Sequence, residues 1–288
     1  MSNTSHTTSD HTASEKIGPG CLSNQESSGP LLCADEPLPF EIYNGEGPSP
    51  LVIVSDHASN VVPRKLDHLG LSLEHFDRHI AYDIGADCIT RCLADRLGAR
   101  AVLAKYSRLV VDVNRDPSDP GCMPQISDQT LVPGNQDLSG PCHAQRIAEI
   151  HTPYHKAINA EITKITARDG RPPALFSIHS FTPSMNGADR IWDVGVLWNK
   201  DPRMSSALIE HLGRWDGLHV GDNQPYSGTE WAYTIDTHGT DVGLANCAIE
   251  IRQDHCGTIE EASHWADILA DALRHILTLD NLHQLQKY

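Results

Sequence analysis

From Pro37 onward, short apolar runs alternate with stretches of helical periodicity, a pattern that predicts an α/β domain on a largely parallel sheet. Leu51-Val52-Ile53-Val54 reads as the first buried strand, since an unbroken apolar run suits a strand covered on both faces. A helical stretch follows from about Ser72 to Leu97, interrupted near Gly85. Ala101-Val102-Leu103 and Leu109-Val110-Val111 read as two more strands, and the segment from Asp116 to Pro141 as loop. Ile147, Ile150, Tyr154, Ile158, Ile162 and Ile165 recur at three or four residues and predict one amphipathic helix from His143 to Arg168, continuing through Pro153. Further strands are expected at Ala174–Ile178, Val194–Trp198 and Cys247–Ile251. Thr258 followed by Glu261 forms a capping-box pattern for a last helix, whose buried stripe would be Ile259, Trp265, Ile268, Leu269, Leu273 and Ile276.

Ahead of this domain, residues 1–35 are rich in Ser, Thr, Gly and Asn with little apolar patterning, so they read as a disordered tail before one catalytic domain over residues 36–288. His6 and His11 in that tail read as solvated polar sequence. A formal charge of −16 argues against nucleic acid or an anionic membrane as partner and leaves small molecules. The eight cysteines form none of the close pairs of a Cys-rich zinc site; Cys88 and Cys92 stand one helical turn apart. With no basic and apolar leader at the Met1 end, a cytoplasmic location with reduced thiols is the expectation. No apolar stretch approaches the roughly 20 residues of a membrane helix.

Ligands of open α/β sheets collect at the carboxyl ends of the strands, which directs attention to the polar residues that follow each apolar run. Asp56-His57-Ala58-Ser59-Asn60, Asp112-Val113-Asn114-Arg115, His179-Ser180 and Glu250-Ile251-Arg252 occupy such places. His57 and His179 are suitable donors for zinc. Glu250 interrupts an apolar strand, and a buried carboxylate without a partner or a task is costly. Arg252 would share its face of the strand, so a structural Glu250–Arg252 pair is the competing reading. Asn114-Arg115 could equally be a turn held by ion pairs to Asp112 or Asp116. Trp192, Asp193 and Trp198 read as core-type aromatics with a polar neighbour. His143, His151 and His155 share helical spacing, but no adjacent Glu completes a His-Glu-x-x-His motif.

In order along the chain, these motifs resemble the zinc carboxypeptidase and aspartoacylase superfamily. The closer resemblance is to the N-formylglutamate amidohydrolases, over nearly all of residues 51–254. It is carried by Ser55-Asp56-His57-Ala58-Ser59-Asn60, Ala81-Tyr82-Asp83-Ile84-Gly85-Ala86, Arg108-Leu109-Val110-Val111-Asp112-Val113-Asn114-Arg115, Ile178-His179-Ser180-Phe181-Thr182-Pro183 and Ile249-Glu250-Ile251-Arg252-Gln253-Asp254.

This resemblance implies a three-layer α/β/α, phosphorylase/hydrolase-like fold of the zinc exopeptidase type. It also implies zinc-dependent hydrolysis of N-formyl-L-glutamate or a similar small anionic N-acyl amino acid. One zinc would be held by His57, His179 and a third ligand. Where the superfamily has the carboxylate of His-x-x-Glu, this chain has Asn60; Asn60 by position, or Asp56 or Asp83 as nearby carboxylates, would complete the set. Glu250 would move the proton and Arg108 would stabilise the oxyanion. Asn114 and Arg115 would grip a substrate carboxylate, and Arg252 or Arg190 a second one. A carboxypeptidase-like peptidase and a metal-free binding protein on the same fold are the alternatives, the latter suggested by Asn60.

Overall fold

The computed structural model describes residue 1 and residues 29–230 and 232–288. Its centre is a sheet of seven strands: β1 (Phe40–Tyr43), β2 (Leu51–Ser55), β3 (Arg100–Ala104), β4 (Ala174–Phe181), β5 (Val194–Leu197), β6 (Val220–Asp222) and β7 (Asn246–Arg252). The spatial order is β1-β3-β2-β4-β7-β5-β6. The four strands β3, β2, β4 and β7 are mutually parallel, whereas β1 runs antiparallel to β3, and β5 antiparallel to β7. The carboxyl ends of β2, β4 and β7 therefore meet at one edge. Within that edge the register sets Glu250 of β7 directly beside His179 of β4, so both side chains leave the same face.

Each face of the sheet is covered by helices. On one side α1 (Ala86–Leu97), α4 (Pro202–Leu212) and α5 (Ile259–Ile276) pack Ile89, Leu93, Leu208, Trp265 and Leu269 over Ile53, Phe176 and Ile249. On the other, Tyr154, Ile158 and Ile165 of α3 (Thr152–Asp169) lie over Val52, Val54 and Leu175. This is the expected three-layer α/β arrangement. No described helix is long and apolar enough to cross a membrane.

The capping box at Thr258 and Glu261 forms in both directions, although Ile259 is exposed rather than part of the buried stripe. The helix expected across Pro153 is segmented: α2 (Gly140–Arg146) passes through a π turn at Ile147–His151 into α3, which places Pro153 in the first turn, where its missing N–H costs little. Residues 72–97 hold only a short 3-10 turn at Leu73–Asp77 before α1. Gly85, with φ 85°, caps α1; a Cβ there would lie 2.3 Å from the Cys256 carbonyl oxygen.

Leu109-Val110-Val111 is not a strand but a buried turn. Its carbonyls are satisfied by side chains instead of a ladder: Asn135 Nδ2 donates to Leu109 and Arg146 to Val110. Of the expected tail over residues 1–35, residues 29–35 are described, and they pack against the domain. Leu31 is buried, and the N–H groups of Leu31 and Leu32 donate to the Glu149 carboxylate at 2.8 and 3.0 Å. His6, His11 and Cys21 lie outside the described residues. The described cysteines, Cys88 and Cys92 included, are all free.

Candidate active site

The turn after β2 carries Asp56 and His57 into the interior. The loop before α1 reaches them through a hydrogen bond from the Asp83 N–H to the His57 carbonyl at 3.0 Å. One oxygen of Asp83, Oδ2, then stands 3.2 Å from His57 Nδ1 and 2.9 Å from His179 Nδ1. The other ring nitrogens are anchored outward: His57 Nε2 on Asp112 Oδ1 at 2.8 Å, and His179 Nε2 on Asp56 Oδ2 at 3.1 Å. Asp56 is itself fixed by Tyr154 Oη at 2.9 Å, Thr234 Oγ1 at 2.8 Å and Ser177 Oγ at 3.2 Å.

This donor set fits a divalent cation. Two imidazole Nδ1 atoms and a carboxylate converge, all within 4.8 Å of one another, while separate carboxylates hold each Nε2 and so fix the tautomer that frees Nδ1 for a metal. Burial and the Arg108 charge oppose protonation of His57, but Asp112 and Asp83 outweigh them and raise its pKa. Burial likewise opposes protonation of His179, and Asp56 and Asp83 raise its pKa well above the ordinary value. Both shifts run toward positive charge between these carboxylates, and a dication would supply positive charge at the same place.

Beside this cluster opens a cavity of about 430 Å³, lined among others by Arg108, Asn114, Arg115, Phe181, Tyr226 and Glu250. Glu250 is buried, and its Oε2 has no hydrogen-bond partner among the described residues. Burial, reinforced by the Asp83 charge, outweighs the pull of His179, His57 and Arg108 and lifts its pKa from 4.5 to about 7. The Arg108 guanidinium sits on Asp112 at 2.8 Å and Asp83 at 3.4 Å, tying the cavity wall to the outer face of the His cluster.

A family-level sequence profile described as N-formylglutamate amidohydrolase matches residues 49–256. The chain belongs to the N-formylglutamate amidohydrolase family. An N-formylglutamate deformylase of Pseudomonas aeruginosa is 34% identical over 98 residues, a match covering 30% of this chain and 36% of that protein. Among solved structures, a gene product of Agrobacterium tumefaciens superposes with a TM-score of 0.83 at 30% identity, covering 86% of this chain and 98% of that one. The N-formylglutamate amidohydrolase of Ralstonia eutropha shares the fold, with a TM-score of 0.57 at 18% identity over 82% of this chain and 98% of that one.

Within this member of the family, the structure gathers His57, His179, Glu250, Arg108, Asn114 and Arg115 around one cavity and its flanking cluster. It does not bring Asn60 there. The Asn60 amide donates to the Phe76 carbonyl at 2.8 Å, and Asp83 from the next motif is the residue that stands with the two imidazoles. Arg252 also turns away, to Asp193, Asp254 and His255, so no Glu250–Arg252 pair forms. Arg190 stands behind the wall, donating to Tyr226 Oη at 2.8 Å and lying over the Phe181 and Tyr226 rings. Asp193 serves Arg252, His255 and His219, while Trp198 donates to Asp222. Sequence reasoning missed Tyr226, which comes from an irregular loop whose pattern carries no signal.

Proposed function

We propose that this chain is a metal-dependent amidohydrolase that cuts the amide bond of N-formyl-L-glutamate or a similar N-acyl amino acid, releasing formate or another carboxylic acid and the free amino acid. Zinc, held by His57 Nδ1, His179 Nδ1 and Asp83, is the metal of this reading. The observation that carries it is the convergence of those three donors next to a buried, unpartnered Glu250. When bound there, the metal supplies a Lewis acid for the scissile carbonyl and acidifies a water molecule.

Glu250 takes the proton of the attacking water as the oxygen bonds to the carbonyl carbon, and burial, which raises its pKa in the metal-free chain, favours that acceptance. It then passes the proton to the nitrogen as the C–N bond breaks, so that a neutral amine leaves. Arg108 offers its guanidinium to the developing oxyanion. Asn114 and Arg115 receive the substrate carboxylate. The Asn114 Oδ1 is engaged by the Thr234 N–H at 2.9 Å, so the amide nitrogen is the group that Asn114 can offer. Asp83 also removes the main argument for a metal-free binding protein, because Asn60 need not serve as a ligand.

Formate release from N-formyl-L-glutamate is the direct test. Turnover should be lost to a chelator and regained with zinc. Zinc-loaded protein that releases neither formate nor amine from a panel of N-acyl amino acids would overturn the reading.

A further inference from the structure

His151, which closes the π turn, and His155 of α3 are left unused by the chemistry above, yet both end on the loop that carries Asn114 and Arg115. His155 Nε2 lies 2.8 Å from the Val113 carbonyl oxygen, and His151 Nε2 lies 2.9 Å from that of Arg115. A carbonyl only accepts, so each Nε2 carries the hydrogen and donates. The two rings therefore hold the backbone on either side of Asn114. His155 Nδ1 then faces His238 Nε2 at 2.7 Å, and His238 Nδ1 faces Asn159 Oδ1 at 2.9 Å. Burial opposes charge along this row: it depresses His155, with the neighbouring His151 and His238 adding to the effect, to a pKa of about 3, and His238 to about 4. His151 is lowered by burial as well.

The same loop is also fixed by its own backbone. The Asp112 N–H donates to the Cys122 carbonyl at 2.7 Å, and the Asn114 N–H to Asp112 Oδ1 at 3.0 Å. Asp112 is also the anchor of His57 Nε2. One segment of four residues thus joins the His cluster to the substrate grip, and His151 and His155 hold two of its carbonyls.

We propose that His151 and His155 are positioning residues for substrate-carboxylate binding: they clamp the carbonyls of Arg115 and Val113 so that Asn114 and Arg115 face the cavity in one geometry. This rests on the reading that Asn114 and Arg115 receive the carboxylate. The pair's i,i+4 spacing serves a backbone clamp and not metal chelation, since both Nε2 atoms are spent on carbonyls. Preorganisation of this kind acts on binding, because the loop is ordered before the ligand arrives.

The test uses His151→Ala, His155→Gln and His155→Asn in the zinc-loaded full chain. Glutamine sets an amide nitrogen near the imidazole Nε2 position and keeps the clamp; asparagine is similarly polar but too short to reach Val113. His151→Ala and His155→Asn should raise KM for N-formylglutamate by about tenfold, the loss of one well-placed hydrogen bond and its ordering. The kcat and zinc content should hold, and His155→Gln should stay near wild type. On the α-amide of the same compound, which has no α-carboxylate to grip, the KM penalty should vanish. An unchanged KM in both disrupting variants, or an equal penalty on the amide, overturns the clamp while leaving the functional reading intact. A wild type that turns over no N-acyl amino acid overturns both.

Discussion

Replacing Glu250 with glutamine sets catalysis against stability in a way that follows from its surroundings. Loss of a positioned general base costs about 10²–10⁴-fold in rate, so kcat should fall at least that far with zinc still bound. The stability effect has the opposite sign. In the metal-free protein Glu250 has a pKa of about 7 against an ordinary 4.5. An acid raised in this way contributes full stability below about pH 4.5 and loses it as pH rises through 7, the whole shift corresponding to about 3 kcal/mol. Glutamine escapes that loss at pH 8, but its own buried amide is short of partners and gives back about 1–2 kcal/mol. The metal-free variant should therefore melt a few degrees above wild type at pH 8, and this gain should disappear at pH 5. Melting temperature at both pH values, zinc content and kcat on one preparation make the assay. A near-normal kcat with zinc present refutes the proton-transfer role. A lower melting temperature at pH 8 refutes the claim that an ionised, unpartnered carboxylate is held there.

Three further outcomes follow from the geometry. Asp83→Asn should weaken zinc binding in equilibrium dialysis about as much as His57→Ala, whereas Asn60→Ala should leave the metal bound; the reverse order would return the third donor to Asn60. Gly85→Ala forces both a positive φ and a Cβ at 2.3 Å from the Cys256 carbonyl oxygen, so it should lower stability by about 2 kcal/mol or more in denaturant melts and loosen the loop that aims Asp83. A chain beginning at residue 29 should melt like the full protein, but one beginning at residue 36 should lose about 2–3 kcal/mol, because it discards buried Leu31 and the two hydrogen bonds to Glu149.

The strands that carry the chemistry were legible because burial on both faces leaves a run such as Leu51–Val54 almost wholly apolar, and the polar residues just beyond it then stand out. Leu109–Val111 has the same composition for a different reason. It is enclosed by side chains that take its backbone hydrogen bonds, and periodicity cannot distinguish such a buried turn from a strand. His57, His179 and Glu250 could be found because each sits at or near a strand end. Asp83 was harder, since its place beside both imidazoles is created by the turn before α1 and by the approach of Gly85 to Cys256, neither of which leaves a local pattern. Arg252 shows the limit of face arguments: alternation gave its side of the strand, but Asp193 and His255, from distant segments, decide where its guanidinium goes.

Anomalous diffraction from zinc-loaded crystals, recorded on both sides of the zinc absorption edge, tests the central claim most directly. The account predicts a single strong peak between His57 Nδ1, His179 Nδ1 and the Asp83 carboxylate, with Asn60 still on the Phe76 carbonyl and His151 and His155 on the 112–115 loop. A peak at His151 and His155, or no peak at His57 and His179 in protein that hydrolyses N-formylglutamate, would contradict it.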